Sequence, residues 1–368
     1  MIDKDSVYFS LSGDIPVGGP STWHIIDWDQ RRVVSVTMDG EQDDESLAIE
    51  HFSRHSDRIS LDIHRIYISH DGEMISTYTD SKNEPTCCVH YPPLHDACLP
   101  EGVQTVRRDK LEELERLGPD ADLVAYSPCI EEPVKKYAQM SWKGMNLWMR
   151  LPRYLNIIPF DQVVVDELEG RVVGFTCDYV PGGNLEENKS RVFKLKWLKQ
   201  LIRVVDDLNL ELYHAIDFNF AARINCPSPG ESESYVEDRN DVKGVIFTTY
   251  EIITQDDSLQ SVPHEDQNLG NLGSKWVKHL EVKLDHQVES YQLVLKEWRE
   301  RREGDFHSGN VLRPIEWPAM PKPPQKTISL KTVQGQTTSV IVDNWYERRQ
   351  DVRDRGDKVL NWERPPQG

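Results

Sequence analysis

The stretch that decides the fold contains Val172-Val-Gly-Phe-Thr-Cys-Asp-Tyr-Val-Pro-Gly-Gly183, whose first half is β-branched and aromatic. Upstream of it, Asp166-Glu-Leu-Glu-Gly170 has the composition of a turn and follows a second β-branched run. Two such runs joined by a short turn predict a β-hairpin over residues 162–178. The Pro-Gly-Gly at the end of the quoted stretch predicts a break in the chain directly after the second strand.

Two helices are predicted downstream of this hairpin. In residues 194–210 the apolar residues recur at helical spacing, which predicts an amphipathic helix; they are Leu195, Leu198, Leu201, Val205 and Leu208. Residues 242–253 are apolar on most sides, as in a helix buried within a larger domain. Between the two helices lies Asp217-Phe218-Asn219.

The order of hairpin, glycine break, long helix, Asp217-Phe218-Asn219 and buried helix resembles the core of eukaryotic protein kinases. The similarity is greatest to a group of kinase-like proteins from filamentous fungi, and it covers residues 140–300. It implies an α+β, two-lobed, protein-kinase-like fold with a degraded small lobe. The implied boundaries are an N-terminal β-rich region over 1–103, a small lobe over 104–182, a helical lobe over 183–303, and a proline-rich linker with a C-terminal tail over 304–368.

The resemblance also implies a nucleotide site. Residues 177–183, which include Asp178 and Val180, correspond to the hinge whose backbone groups bind adenine in working kinases. Lys135 or Lys136 would lie near the phosphates of ATP, although adjacent lysines at a strand end are also common as surface charge. Asp217 corresponds to the aspartate of the D-F-G triplet and would bind a nucleotide-associated magnesium ion. Its other interpretation is an aspartate that caps a turn after a strand.

Several parts of the phosphate-transfer machinery do not appear in the sequence. A protein kinase carries its H-R-D-x-x-x-x-N loop between the long helix and D-F-G, but here only residues 211–216 are available. No G-x-G-x-x-G phosphate loop precedes the helix predicted over residues 142–151. Gly144 stands at or next to the position where relatives carry the glutamate that pairs with the lysine.

These departures favour a pseudokinase, a binding or regulatory module with a protein partner and with weak or no binding of ATP and magnesium. The alternative is an active serine/threonine kinase whose complete transcript contains a further exon at residues 210–217. A second alternative rests on Gly304-Asp-Phe-His-Ser-Gly-Asn-Val-Leu312, which resembles the H-G-D-x-x-x-x-N loop of aminoglycoside and choline kinases. In that interpretation Asp305 is the base and Asn310 a magnesium ligand, with Glu303 in place of the histidine.

A group of soft and borderline metal ligands lies within twelve residues near the N-terminal third of the chain. Zinc binds cysteine and histidine, so these residues are a candidate metal site, and ordinary loop residues are the alternative. They are Cys87, Cys88, His90, His95 and Cys98.

Composition restricts the classes of function. The formal net charge of -19 argues against nucleic-acid binding, because a phosphate backbone would be repelled. The N-terminus lacks the pattern of a signal peptide, and no apolar run reaches the length of a membrane span. Six cysteines without framework spacing indicate reduced thiols, so we expect a cytoplasmic or nuclear protein that is neither secreted nor bound to a membrane.

Outside the central stretch, local patterns predict further elements. Strands are expected at 32–37, 59–63, 66–68 and 122–126, helices at 104–118 and 287–302, and a hairpin from 327–332 and 338–342. We also expect Asp343 to cap a charged helix that runs towards Lys358.

Overall fold

The computed structural model describes residues 7–79, 86–118, 121–127, 134–139, 142–151, 153–182, 185, 190–210, 213–214, 222–223, 241–263, 266–305, 321–331, 337–343 and 345–367. The described chain is a mixed α+β structure with several sheets, as the sequence predicts. None of its described helices is long and apolar enough to span a bilayer.

The N-terminal region forms a five-stranded sheet in the order of the sequence, with one helix on it. Its elements are β1 (Tyr8–Asp14), β2 (Ser21–Asp27), β3 (Arg32–Met38), helix α1 (Glu45–His55), β4 (Arg65–Ile68) and β5 (Met74–Tyr78). All neighbouring strands are antiparallel except β3 and β4, which are parallel and are connected through α1. Phe52 of α1 is fully buried in the apolar cluster between helix and sheet.

Helix α1 was not among the elements predicted from the sequence, although a local signal for it exists. The Asp44 side chain accepts a hydrogen bond from the backbone N–H of Ser46, so Asp44 is the N-cap of the helix.

The strand predicted at 59–63 is wrong, because Ile59 and Ile63 reach the same apolar cluster through turns. Their amides donate to the carbonyls of Ser56 and Ser60.

A six-stranded sheet follows, with the strand order β7-β11-β12-β10-β9-β8. After the short strand β6 (Cys87–Val89), its members are β7 (Gln104–Arg107), β8 (Leu111–Gly118), β9 (Ala121–Tyr126), β10 (Lys135–Gln139), β11 (Phe160–Val165) and β12 (Val172–Asp178). The predicted hairpin is confirmed, since β11 and β12 are antiparallel and adjacent. Helix α2 (Trp142–Trp148) lies between β10 and β11 in the sequence and contributes Met145 to the apolar cluster on one face of this sheet.

The helix predicted over residues 104–118 is wrong: the chain forms β7, a short 3-10 turn and β8 there. Leu111, Leu114 and Leu117 have helical spacing, but only Leu111 is buried. Strand β8 pairs with β9 through two register irregularities, so the leucine pattern does not correspond to one buried face. Pairing with β9 therefore outweighs the local helical pattern.

The next part of the chain is helical around a core of its own. It contains β13 (Val192–Phe193), α3 (Leu195–Leu210), β14 (Tyr213–His214), β15 (Ala222–Arg223), α4 (Asp241–Thr254), β16 (Lys283–Leu284) and α5 (Val288–Asp305). The three helices were predicted from the sequence and are confirmed. They pack together around a cluster that includes Leu198, Phe247 and Trp298.

The C-terminal part of the chain packs against the two large sheets. Its elements are β17 (Gln325–Lys331), β18 (Thr337–Asp343), β19 (Tyr346–Arg348) and α6 (Arg349–Asp354). The predicted hairpin of β17 and β18 is confirmed, but Asp343 ends β18 and does not cap α6, which follows Arg348. Strand β19 pairs with β6, and residues 345–367, the C-terminal segment, continue along the six-stranded sheet.

Candidate functional site

The end of β12 and the starts of β10 and β11 bring charged side chains together at one end of the six-stranded sheet, across its central strands. Lys135 lies opposite Asp178 in the β10–β12 register. The Lys135 Nζ is 2.8 Å from the Asp178 Oδ1 and 3.4 Å from the Asp161 Oδ1. Burial acts to lower the pKa of Lys135, but the bonds and charges of Asp178 and Asp161 outweigh it and raise the pKa. Lys135 therefore stays protonated and bound between two carboxylates.

Asp161 is held by hydroxyl groups on the neighbouring strands as well. The Tyr126 hydroxyl donates to the Asp161 Oδ2 at 2.6 Å, and the Thr176 hydroxyl donates to the same oxygen at 2.9 Å. The side-chain amide of Gln162 donates to the Tyr126 hydroxyl at 3.0 Å. Four strands are thus connected through one network, which fixes the carboxylates relative to the sheet. We call Tyr126, Lys135, Asp161, Thr176 and Asp178 the strand-end network.

The two lysines that the sequence predicts as candidates for phosphate binding lie on opposite faces of the sheet. Neighbouring residues of a strand point to opposite faces, so Lys136 lies on the other face from Lys135. Tyr137, on the face of Lys135, belongs to the cluster that includes Leu360 of the C-terminal segment, whereas Ala138, on the face of Lys136, belongs to the cluster of α2. Asp178 is therefore brought to Lys135 and not to Lys136.

Lys136 has a different neighbour, because it lies opposite Cys177 in the register of β10 and β12. Burial raises the pKa of the Cys177 thiol to about 11, with the charge of Lys136 acting in the opposite direction. This thiol is consequently protonated at neutral pH and is an inert core group. Val180 follows the strand with 60 % of its surface exposed.

The remaining predicted site residues are placed as follows. Gly144 is buried in α2 and offers no side chain to an ion pair. Asp217 lies outside the described residues, so neither a nucleotide nor a magnesium role for it has a described geometry. Asp305 is the last residue of α5, and Asn310 lies outside the described residues.

The candidate metal ligands between residues 87 and 98 do not converge. Cys87 and Cys88 are successive residues of β6, and the Cys88 Sγ is 3.7 Å from the carbonyl oxygen of Glu347. His95 is in a short 3-10 turn, where its Nε2 is 3.4 Å from Asp96. Within the described residues, no three histidine, cysteine or acidic side chains form a group that could hold a metal ion.

The strand-end network was missed in the sequence because its members come from four strands, and no local pattern predicts how these strands pair. The only local signal is that polar Thr176 and Asp178 stand on either side of Cys177 at the end of an otherwise apolar strand. No protein-family model matches the chain, and no curated protein sequence matches it.

Proposed function

We propose that the chain is a protein-kinase-like module that acts as a pseudokinase, binding a protein partner and transferring no phosphate. The order of described elements supports this two-lobed interpretation: helix α2, hairpin β11–β12, then the helices α3, α4 and α5 around a separate core. In this view the six-stranded sheet and α2 are the small lobe, and residues 179–182 lead into the helical lobe.

The observation that carries the proposal is that Lys135 is bound in two ion pairs. A phosphate-binding lysine must present its ammonium group to the nucleotide, but Lys135 is bound to Asp178 and Asp161. Gly144 provides no carboxylate to orient Lys136 on the other face of the sheet. Phosphate transfer depends on positioned charges, so a site built from these residues lacks groups that the reaction requires.

Any nucleotide would bind weakly, beside residues 177–183, with Asp217 as the magnesium ligand and Lys136 as the nearer lysine. The full chain can be tested by thermal unfolding with and without millimolar ATP and magnesium. A ligand at a hundred times its Kd stabilises the folded state by about 2.7 kcal/mol. We expect a small shift at most, which is lost in Lys136→Ala and in Asp217→Ala.

Lys135→Ala is the matched comparison for Lys136→Ala. It should lower the thermal midpoint without nucleotide, because it leaves two carboxylates without their shared cation, whereas Lys136→Ala should not. A nucleotide-dependent shift that survives Asp217→Ala and disappears in Asp305→Ala would instead favour the small-molecule phosphotransferase.

Phosphate transfer itself decides between a pseudokinase and an active kinase. Purified protein should transfer no phosphate from ATP to a generic protein substrate with magnesium. Robust transfer that Asp217→Ala abolishes would overturn the proposal. Sequencing of the complementary DNA across residues 210–217 is the companion measurement, since a further exon with H-R-D-x-x-x-x-N would identify an active kinase.

A further inference from the structure

A cavity of about 300 Å³ lies where three parts of the chain meet: the five-stranded sheet, strand β6 and the C-terminal segment. This volume is at the lower end of the range for small-molecule sites, roughly 300–1,000 Å³. Its walls combine four aromatic side chains with four aliphatic ones; they are Trp28, Tyr91, Tyr346 and Trp362, and Leu11, Ile26, Val33 and Val89. We call it the junction cavity.

The junction cavity has a buried interior and an open end. Ile26, Trp28 and Tyr91 are each less than a tenth exposed, so they form its inner wall. Leu11 and Tyr346 line it as well but are 47 % and 64 % exposed, so they stand where it opens to solvent. A molecule could therefore enter without separation of the segments that line the cavity.

The ionisable groups around the junction cavity are neutral or already have partners in the chain. Burial lowers the pKa of His24, whose Nδ1 is 2.9 Å from the Ser35 hydroxyl. The Arg349 guanidinium donates to the carbonyl oxygens of residues 360 and 361, and that of Arg364 donates to the carbonyl oxygen of Gly118 and to Asp122.

The one carboxylate on the wall belongs to Glu363, and burial raises its pKa, which disfavours its charged form. A charged ligand would lose its hydration in this cavity, and the two guanidinium groups on its wall already bind other parts of the chain. An uncharged planar ligand would instead gain from apolar burial and from contacts with the aromatic walls.

We propose that the junction cavity binds a small uncharged molecule with a planar aromatic ring, of the size of indole. This site is separate from the proposed nucleotide site, and the inference does not depend on the kinase-like interpretation. Because the ligand would touch the five-stranded sheet, strand β6 and the C-terminal segment, its binding stabilises their junction.

Cys87 makes the site testable in the unmodified full chain, because its side chain lines the cavity. Iodoacetamide alkylation at pH 9, followed by peptide mass spectrometry, measures the rate at each thiol with and without saturating indole. We expect indole to slow alkylation of Cys87 at least tenfold and to leave that of Cys98 unchanged. Cys98 is exposed and does not line the cavity, so it is an internal control. Equal rates at Cys87 with and without indole would overturn the proposal.

Variants and a charged analogue provide the second measurement, by calorimetric titration. Leu11→Trp narrows the open end, Val89→Phe fills the interior, and Leu61→Trp adds the same ring at an exposed position outside the cavity. Leu11→Trp and Val89→Phe should raise the Kd for indole more than tenfold, and Leu61→Trp should leave it unchanged. Should Val89→Phe fail to fold, the comparison rests on Leu11→Trp alone.

The charged analogue tests the preference for an uncharged ligand. Indole-3-carboxylate should bind at least tenfold more weakly than indole; tighter binding would show an anion site and contradict the proposal.

Discussion

At the scale of single residues, Asp166 holds the turn of the central hairpin. Its Oδ1 accepts hydrogen bonds from the backbone N–H groups of Leu168, Glu169 and Gly170, at 3.0, 2.7 and 2.9 Å. The Arg171 Nε donates to its Oδ2 at 2.8 Å. Burial acts to raise the pKa of Asp166, but these bonds outweigh it and the pKa is lowered. The carboxylate is therefore the form that the folded chain prefers.

We expect Asp166→Ala to lower the free energy of unfolding by about 3 kcal/mol, because three backbone donors lose their acceptor. Asp166→Asn keeps an acceptor oxygen and loses only the charge, so its cost should be about 1 kcal/mol. Since the pKa of Asp166 is lower in the folded state, its charge stabilises the fold fully above the unfolded pKa of about 3.9. This stabilisation is lost as the pH falls through the pKa of the folded state.

Urea unfolding of each variant between pH 7 and pH 3 measures both effects. The difference between wild type and Asp166→Asn should be constant above about pH 5 and shrink below about pH 4. Asp71→Ala, an exposed aspartate in the turn between β4 and β5, is the control and should cost less than about 0.5 kcal/mol. A difference that grows towards low pH would contradict the expected sign.

At the scale of elements, α3 packs one of its faces into the core of the helical part. Leu198 is fully buried among residues of α4 and α5, whereas Leu201 on the same helix is 40 % exposed. Leu198→Ala should lower the free energy of unfolding by about 2–5 kcal/mol through the cavity that it leaves. Alanine has a slightly higher helix propensity than leucine, so the loss would come from packing and not from the helix itself.

Leu201→Ala is the matched control, because it makes the same chemical change on the exposed face of α3. Its cost should be less than about 1 kcal/mol. Denaturant unfolding followed by far-ultraviolet circular dichroism compares the two variants. Equal losses in both would mean that α3 does not pack through the face seen in the structure.

At the scale of the whole molecule, Arg364 attaches the C-terminal segment to both large sheets. Its guanidinium is buried, binds Asp122 of β9 and donates to the Gly118 carbonyl oxygen at 2.8 Å. It also lies 4.1 Å from the ring centre of Trp28 in the loop after β2. A single side chain thus joins three segments that are distant in the sequence.

Arg364→Ala should lower the free energy of unfolding by about 3–5 kcal/mol, because it leaves Asp122 buried without its cation. The double variant Asp122→Leu with Arg364→Met should recover part of this loss, since it removes both charges. Thermal unfolding and limited proteolysis of the C-terminal segment report the effect. Asn361→Ala changes an exposed side chain in the same segment and should behave as wild type. If Arg364→Ala were also as stable as wild type, the segment would not be held by this pair.

The sequence by itself determined the elements whose signal is local. The hairpin of β11 and β12 follows from two β-branched runs around one turn. Helix α3 follows from apolar residues at helical spacing, α4 from a run that is apolar on most sides, and α5 from an amphipathic pattern. These patterns depend on residues a few positions apart, which one strand or helix brings to one face. The same local rule gave a wrong helix over residues 104–118, where pairing with β9 decides the structure.

Only the tertiary structure decided which side chains meet. It placed Lys135 with Asp178 and Lys136 on the opposite face, and it joined Tyr126, Asp161 and Thr176 in one network. It also returned Arg364 to Asp122, 242 positions earlier in the chain. Contacts at such separations depend on how whole elements pack, and no periodicity within a single element specifies them.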